Sequence, residues 1–349
     1  MKLLELISEK NIKTLSLIGM GKNVGKTTLL NHLIKEASLD GVVLGITSIG
    51  RDWEKKDILT ELDKPRLRAP VGTFLITSES SLKESRIKRE VIKKSTFRTS
   101  LGNLVVIKVL SRDFIEITGP QTTGQLKSLI PEMEKAKTDI IIVDGAFDRM
   151  FSAAPLITDG TILVTGAVID PLMERVVEKT KWKAELLSLP GTKDESLQKI
   201  AEKICSHRRI AFVEKSGRYR SIEYMPTGAC GEAAGKSITG EVKALVLGTS
   251  LTSSFIEGLI KTPLADKVLI IIHDATRILT DELWWKRLKN WGASVEVLMP
   301  VKLAAVTVNP YSVMGWEFDS TEFIDATGQA LKPIPVVDVL SGLSRNIKK

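Results

Sequence analysis

Residues 14–28 of the chain read Thr14-Leu15-Ser16-Leu17-Ile18-Gly19-Met20-Gly21-Lys22-Asn23-Val24-Gly25-Lys26-Thr27-Thr28. A short apolar run gives way to a glycine-rich loop that ends in Gly25-Lys26-Thr27, and residues that favour helices follow from Leu29 to Lys35. This order of strand, loop and helix is the context that a phosphate-binding loop, or P-loop, requires. The stretch therefore predicts a site for a nucleoside triphosphate.

Each part of the loop has a physical reason to bind phosphate. Glycine lets backbone N–H groups approach phosphate oxygens closely, and Gly19, Gly21 and Gly25 supply it. The helix that starts near Gly25 adds unpaired N–H donors and a positive dipole, and the Lys26 ammonium can reach the terminal phosphates. The hydroxyl of Thr27 can join the coordination of Mg²⁺ that the nucleotide carries. The predicted nucleotide-binding residues are Gly19, Gly21, Lys22, Asn23, Val24, Gly25, Lys26, Thr27 and Thr28.

The spacing of the loop departs from the common pattern at one position. The pattern G-x-x-x-x-G-K-[ST] requires glycine at position 20, where this chain has Met20 between Gly19 and Gly21. With glycine seven residues before the lysine and Val-Gly-Lys-Thr at its end, the loop resembles that of dethiobiotin synthetase and its relatives. The same branch of P-loop NTPases contains metallochaperone and chaperone-like members.

A second segment supports the nucleotide site. Residues 139–146 are a run of β-branched residues that ends in Asp144 and two small residues, as expected of a buried parallel strand. A carboxylate at the tip of such a strand can hold Mg²⁺ or a water bound to it. Asp144 is therefore the predicted Walker B acid, a metal ligand and a catalytic residue together with Lys26. The alternative is an acid that only ends a strand or caps a turn.

A third candidate follows the second apolar strand, residues 42–47. The loop after this strand approaches the γ-phosphate in this class of NTPase, so Asp52 could orient water or metal and Arg51 could contact phosphate. We therefore include Asp52 among the predicted catalytic and metal-binding residues. The alternative, a solvated turn in the charged stretch Arg51–Lys56, fits the sequence equally well.

Strand and helix signals alternate along the first half of the chain. The predicted elements are a strand at 73–76, a basic helix at Lys83–Lys94, a hairpin of Leu104–Leu110 with Phe114–Ile117, a helix from the 119–124 turn to Lys137, a strand at Thr161–Val164 and a helix from Asp170-Pro171 to Leu187. Such alternation is typical of a doubly wound α/β fold. We predict a mostly parallel sheet of P-loop NTPase type.

A second, smaller α/β domain is expected towards the C-terminal end. Gly231–Ser237 also ends in Gly-Lys-Ser, but Gly240 follows within three residues, so we interpret this stretch as a flexible linker rather than as a phosphate-binding loop. The predicted division is a P-loop NTPase domain at 1–226, a linker at 227–240 and a domain at 241–349 that binds a partner or ligand.

The second domain contains candidate sites that each have an ordinary structural alternative. We predict strands at Val242–Leu247, Val268–Ile272 and Val295–Met299, with helices near Ser253–Ile260 and Asp281–Trp291, the latter capped by Thr280. Asp274, Thr276 and the Gly248–Ser250 turn follow parallel strands, where such sheets bind ligands or where residues cap turns. The indoles of this domain form a partner surface or pack in the core: Trp284, Trp285 and Trp291.

The amino-acid composition limits the classes of protein to which the chain can belong. The chain has 349 residues, of which 43% are hydrophobic and 26% charged, so it can fold around cores and is not a disordered protein. Cys205 and Cys230 form no disulfide framework, and the apolar runs are too short to span a bilayer, so we expect a cytoplasmic protein without membrane contact. The net charge of +8 has its main local source at Lys83–Lys94. With only 5% aromatic residues and no nucleic-acid module, we favour a basic solvated face over nucleic-acid binding.

Four segments of the first half resemble a more specific family. They are the loop Gly21–Thr27 and residues 45–52, 143–149 and 157–161. Together they are similar to the P-loop subunit of lysine 5,6-aminomutase reactivase. This resemblance implies an ATPase partner subunit and a client, an adenosylcobalamin-dependent aminomutase whose damaged cobalamin is exchanged. It also implies that bound nucleotide holds the loops of Asp52 and Asp148 in one arrangement and that hydrolysis releases them.

Three classes of function remain open from the sequence. The first is an enzyme, an NTPase that remodels or reactivates a partner protein. The second is a small-molecule kinase or ligase of the dethiobiotin synthetase type, with Lys83–Lys94 or Thr122-Thr123 binding the acceptor. The third is a nucleotide-binding module without turnover. ATP is favoured over GTP because the nearest match to a guanine-binding [NT]-K-x-D motif, Thr192–Glu195, has its acids out of place.

Overall fold

The boundaries of the two units of the chain differ from the division expected from the sequence. The computed structural model describes residues 2–49, 67–99, 101–145, 157–223, 225, 227–264 and 267–347. The first unit comprises Met1–Lys181 together with Leu303–Lys349, and the second comprises Trp182–Lys302. The boundaries predicted at 226 and 241 are therefore not those of the structure. The second unit is an insertion, since the chain returns to the first unit after it.

The described residues form strands and helices in an α/β arrangement. The strands are β1 (Thr14–Gly19), β2 (Leu44–Ile49), β3 (Leu67–Ala69), β4 (Phe74–Ser78), β5 (Arg89–Thr99), β6 (Gly102–Val109), β7 (Asp113–Ile115), β8 (Ile140–Gly145), β9 (Gly160–Gly166), β10 (Arg209–Glu214), β11 (Tyr219–Glu223), β12 (Val242–Leu247), β13 (Leu251–Thr252), β14 (Val268–Ile272), β15 (Ile278–Leu279), β16 (Ala293–Val297), β17 (Leu303–Asn309), β18 (Val336–Val337) and β19 (Ser344–Arg345). The helices are α1 (Leu3–Glu9), α2 (Lys26–Asp40), α3 (Glu79–Glu84), α4 (Thr123–Lys135), α5 (Met173–Leu187), α6 (Glu195–Ser206), α7 (Gly228–Ser237), α8 (Ser253–Leu259), α9 (Glu282–Trp291) and α10 (Ser320–Ala330).

A large, mostly parallel sheet is the centre of the first unit. Its strand order is β19-β18-β17-β9-β1-β8-β2-β4-β6-β5. The run from β18 to β4 is parallel throughout, whereas β19, β6 and β5 pair antiparallel with their neighbours. Every residue of β1 is buried, as expected of a parallel strand covered on both faces. The predicted α/β class with a mostly parallel sheet is confirmed.

The return of the chain to the first sheet explains the unit boundaries. β17 pairs in parallel with β9, with Val306 opposite Leu163 and Thr307 opposite Val164. The boundary predicted at 226 falls inside the second unit. There β10, which precedes residue 226, pairs antiparallel with β12, which follows it. Both pairings join segments far apart in the sequence. A local hydrophobic pattern does not record such partners.

The predicted helix over Lys83–Lys94 is wrong. Helix α3 ends at Glu84, and β5 begins at Arg89 and pairs antiparallel with β6. The segment contains Val91 and Ile92 followed by further residues that favour strands, and pairing with β6 overrides the helical preference of its lysines. Arg89, Lys93 and Lys94 therefore lie on β5, the last strand of the sheet as it is described, whereas Lys83 lies in α3.

The predicted hairpin of Leu104–Leu110 with Phe114–Ile117 is also wrong. β6 pairs with β4 and β5 in the large sheet, whereas β7 pairs antiparallel with β3 in a separate two-stranded ribbon. The three residues between the runs, Ser111–Asp113, suit a tight turn, but they carry the chain from one sheet to the other. Turn chemistry alone does not determine which strands pair.

The second unit has its own sheet, in the order β11-β10-β12-β14-β16. β12, β14 and β16 are parallel, in agreement with the three strands predicted there. Asp281, not Thr280, caps α9, since its Oδ1 accepts a hydrogen bond from the Trp284 backbone at 2.9 Å. Of the two alternatives for the three indoles, the structure shows packing in the core rather than an exposed surface. Trp285 is buried in the core, and Trp284 and Trp291 pack partly buried against it.

The segment predicted as a flexible linker at 227–240 instead contains α7. Thr227 caps this helix by accepting a hydrogen bond from the Cys230 backbone. Its glycines allow close packing on α8: a Cβ at Gly231 would lie 2.1 Å from the Phe255 carbonyl oxygen. The high glycine content therefore serves helix contact rather than flexibility. In the described part of the chain, no helix combines the length and apolarity that a membrane span requires.

Candidate functional site

The glycine-rich loop connects β1 to α2 and is fixed by contacts with Val24 and with β9. Gly25 is the N-cap of α2 with a φ of +102°, a left-handed conformation that favours glycine. Val24 is buried beneath the loop, and a Cβ at Gly19 would lie 2.9 Å from Val24 Cγ2. The Met20 N–H donates to the Val164 carbonyl of the neighbouring strand β9 at 2.9 Å. These contacts fix the loop against the centre of the sheet, while Lys22 and Asn23 remain exposed.

Lys26 is the first residue of α2, and its side chain reaches the end of β8. The Nζ atom donates a hydrogen bond to the Gly145 carbonyl. The same nitrogen lies 3.5 Å from Asp144 Oδ1. The Lys26 and Asp144 side chains are 19% and 34% exposed, although the Oδ1 atom of Asp144 that forms this contact is itself buried. The ammonium and the carboxylate thus form a partly buried ion pair at the start of α2.

Parallel pairing brings these groups together. β8 lies next to β1 on one side and β2 on the other, with Asp144 opposite Leu17 and Ser48. Because parallel strands share their direction, their carboxyl ends meet at one edge of the sheet, where open α/β sheets bind ligands. The end of β2 at Ile49 therefore lies beside the candidate site. Arg51, Asp52 and Asp148 fall outside the described residues.

The donor set of the site suits a hard cation such as Mg²⁺. Thr27 and Thr28 lie half-buried in the first turn of α2. Thr27 can supply a hydroxyl oxygen, and Asp144 can supply a carboxylate oxygen. Oxygen ligands of these two kinds, completed by phosphate and water, are what Mg²⁺ prefers. Within the described residues, no group of three or more His, Cys, Asp or Glu side chains is placed to hold a metal on its own.

One residue beside the loop was not expected from the sequence. Asn309 ends β17, and a Cβ at Gly25 would lie 3.2 Å from Asn309 Cβ. The Asn309 Oδ1 accepts a hydrogen bond from the Tyr311 N–H at 3.2 Å, which orients the side chain at this edge. A signal was present, since an apolar run from Leu303 ends in a polar residue followed by Pro310, much as the run before Asp144 ends.

Asp159, part of a segment that resembles the reactivase family, lies at the opposite edge of the sheet. Its Oδ2 accepts hydrogen bonds from the Lys13 and Thr14 N–H groups at 3.0 and 2.8 Å, at the beginning of β1. The loop lies at the other end of that strand. Asp159 therefore anchors the start of β1 and does not contribute to the candidate site.

Two other candidates from the sequence are helix caps. Thr122 Oγ1 accepts a hydrogen bond from the Gln125 backbone at 3.2 Å at the start of α4. Asp194, within the near-match to a guanine-binding motif, caps α6 by accepting from the Leu197 N–H at 3.2 Å. Its hydrogen bond with Lys243 holds the pKa of Asp194 well below the ordinary value. Capping accounts for both residues.

The candidates after the strands of the second unit also have structural partners. Asp274 Oδ1 accepts from the Thr276 N–H at 2.9 Å, and its Oδ2 lies 2.6 Å from His273 Nδ1. Burial alone would raise the pKa of Asp274, but the hydrogen bonds from His273 and Thr276 hold it below its ordinary value. In the Gly248–Ser250 turn, the Gly248 N–H donates to the Arg209 carbonyl at 2.8 Å. These contacts are those of caps and turns.

Comparisons with protein-family models, curated proteins and solved structures find no match to the chain.

Proposed function

We propose that the chain binds a nucleoside triphosphate, ATP in preference to GTP, together with Mg²⁺ at the loop between β1 and α2. The observation that carries this proposal is the ion pair of Lys26 with Asp144 at the amino end of α2. A lysine at the first residue of a glycine-capped helix and an acid near the end of the strand next to β1 are the groups that P-loop chemistry requires.

The proposed roles follow from the chemistry of each group. Backbone N–H groups of the loop and the first turn of α2 bind phosphate oxygens, favoured by the helix dipole. Lys26 exchanges its contacts with Gly145 and Asp144 for the terminal phosphates, which carry more negative charge than the carboxylate. Thr27 and Asp144 would hold Mg²⁺, which neutralises charge on the phosphates. Those contacts that strengthen as charge develops in the transition state would then accelerate hydrolysis.

We further propose that hydrolysis drives the remodelling or reactivation of a partner enzyme, an adenosylcobalamin-dependent aminomutase, with the help of an ATPase partner subunit. The resemblance of the loop and of residues 45–52 and 143–149 to the reactivase subunit supports this step. The cytoplasm is the proposed location, and it fits the free thiols of Cys205 and Cys230.

The test is phosphate release from ATP and GTP, measured with and without Mg²⁺, for the chain alone, with an aminomutase and its ATPase subunit, and with small carboxylic acids. We expect Mg²⁺-dependent release from ATP that rises with the protein partners. A rate that rises only with a small acid would replace the proposal with a kinase or ligase. Binding without turnover under every condition would leave a nucleotide-binding module.

Asp52 has a separate test because it lies outside the described residues. As a residue proposed to orient water or metal, it is expected to be needed for turnover rather than for binding. Asp52→Asn should then lower the rate of ATP hydrolysis while nucleotide still binds. Hydrolysis at the wild-type rate would remove Asp52 from the site.

A further inference from the structure

A second concave site lies further along α2. A cavity of about 470 Å³ separates this helix from the ribbon of β3 and β7. Ile34, Lys35 and Leu39 line it from α2. The volume falls within the range of pockets that bind small molecules. Nothing in the chemistry proposed for the nucleotide uses this cavity.

The cavity is lined by cations that have no acidic partner among the described residues. Lys35, Arg68 and Arg112 all contribute to its wall, and no Asp or Glu does. Among the described residues, none of the three takes part in an ion pair. Like charges around one concave surface repel each other and raise the local concentration of anions. A ligand with negative charge would relieve that repulsion.

An exposed aromatic ring adds a second recognition feature. Phe114 of β7 is 51% exposed and lies opposite Arg68 of β3, whose Cζ is 5.8 Å from the ring centroid. A guanidinium stacked in this way keeps its planar fork of N–H donors available for a carboxylate or phosphate. Leu39 is 72% exposed beside it. The cavity wall therefore places a flat apolar surface next to the N–H donors of a guanidinium.

We propose that this cavity binds a small organic dianion with a flat apolar body, either an aromatic dicarboxylate or an aromatic phosphate monoester. Three cations in one cavity suit a ligand with two or more negative charges, and Phe114 with Leu39 suits a ring. The volume favours a small molecule over a macromolecular segment. The inference does not depend on nucleotide binding at the β1–α2 loop.

The test is calorimetric titration of the full chain at low ionic strength with benzene-1,2-dicarboxylate and with phenyl phosphate. Succinate supplies the charges without the ring, and benzyl alcohol supplies the ring without the charges. We expect at least one aromatic dianion to bind more tightly than succinate, and no binding of benzyl alcohol. The stronger of the two aromatic probes identifies carboxylate or phosphate as the natural charged group.

Variants assign the binding to the cavity. Arg68→Ala with Arg112→Ala should weaken the better aromatic probe about 10-fold or more. Phe114→Ala should reduce its affinity to that of succinate. Arg287→Ala is the matched control, because Arg287 also stacks on an aromatic ring, that of Trp284 at 4.5 Å, but in the second unit. The Arg287→Ala variant should bind the better aromatic probe with the affinity of the wild-type chain.

Three results would overturn the proposal. The first is no binding of either aromatic dianion up to about 10 mM, weaker than any useful site of this kind. The second is binding that the double arginine variant leaves unchanged while its thermal unfolding stays normal, which would place the anion at the phosphate-binding loop or elsewhere. The third is binding of oligothymidylate through Arg68 and Arg112 without binding of the small dianions, which would make the site a nucleic-acid surface.

Discussion

The ammonium of Lys26 lies 3.5 Å from the carboxylate of Asp144, although the two residues belong to separate motifs of the sequence. Lys26 opens α2, and Asp144 stands near the end of β8, the strand next to β1. The ion pair therefore joins the glycine-rich loop and the predicted Walker B acid into one site. The partners of Lys26 in the structure are the Gly145 carbonyl and Asp144, and in the proposed complex phosphate oxygens take their place.

Replacing Asp144 by asparagine is expected to separate turnover from binding. Asp144→Asn keeps the shape of the side chain but removes the charge proposed to hold Mg²⁺, so Mg²⁺-dependent ATP hydrolysis should fall by about 100-fold or more. Nucleotide binding without metal should persist, because Lys26 also loses a competing anion. Phosphate release and calorimetry with and without Mg²⁺ measure the two effects.

Asp139 provides the matched control for that substitution. It stands just before β8, where its Oδ2 accepts a hydrogen bond from the Val43 N–H at 2.7 Å, at the end of the strand away from the loop. Asp139→Asn should leave the hydrolysis rate unchanged. Equal losses of rate in the Asp139 and Asp144 variants would show that the effect of Asp144→Asn is structural.

Alanine substitutions at the two glycines that flank α2 separate the cost of backbone strain from the loss of ATP binding. Gly25 and Gly41 both have positive φ, +102° and +70°, so alanine at either position should cost about 1–2 kcal/mol of the free energy of unfolding. Only at Gly25 would the new Cβ also meet Asn309, at 3.2 Å, whereas at Gly41 nothing lies within 4 Å. Gly25→Ala should therefore lose ATP binding, and Gly41→Ala should retain it.

Urea unfolding and ATP titration of both variants provide the check. ATP binding by folded Gly25→Ala with wild-type affinity would contradict the placement of phosphate at this loop. A loss of binding in Gly41→Ala would show that affinity follows the stability of α2 rather than the geometry of its first turn.

Cys205 is expected to be an unreactive thiol in the folded chain. Burial raises the pKa of Cys205 to about 11. At pH 8 the thiolate fraction is then about 100-fold smaller than for an ordinary thiol, so alkylation by iodoacetamide should be slow until urea unfolds the chain. Mass spectrometry of Cys205 peptides measures this difference. Equal rates in the folded and unfolded states would contradict it.

The same pKa gives a dependence of stability on pH. The folded chain binds the Cys205 proton more tightly than the unfolded chain, so the free energy of unfolding should fall as pH rises from about 9 towards 11. Cys205→Ala should remove this part of the decline. The remainder, from other groups, should persist in the variant.

Local sequence patterns were sufficient to predict β1, the glycine-rich loop and α2. The apolar run of β1, the glycines of the loop and the helix formers of α2 all lie within one continuous stretch, and the structure places β1 and α2 where that stretch predicts them. The strand ending in Asp144 could be predicted for the same reason. The sequence predicts only that the carboxyl end of this strand faces the ligand-binding edge of the sheet, and the structure adds that the strand pairs with β1.

Long-range pairing is what the sequence did not reveal. Asn309 reaches the loop because β17 pairs with β9 after the insertion of Trp182–Lys302, and no local pattern records that partner. Lys93 and Lys94 favour a helix, yet they lie in β5 because β6 offers a ladder of backbone hydrogen bonds. The cluster of Lys35, Arg68 and Arg112 is likewise built from three separate segments.

The central claim is that Lys26 binds the phosphates of a nucleotide, and calorimetric titration of ATP with Mg²⁺ into three forms of the chain tests it most directly. The wild-type chain is compared with Lys26→Ala and Lys236→Ala. Lys236 lies in a second Gly-Lys-Ser sequence, but in the last turn of α7 rather than at the start of a helix. We predict that Lys26→Ala loses about 1.5–3 kcal/mol of binding free energy with unchanged thermal unfolding, and that Lys236→Ala binds as the wild-type chain does. Unchanged ATP affinity in folded Lys26→Ala, or no ATP binding by the wild-type chain, would contradict the account.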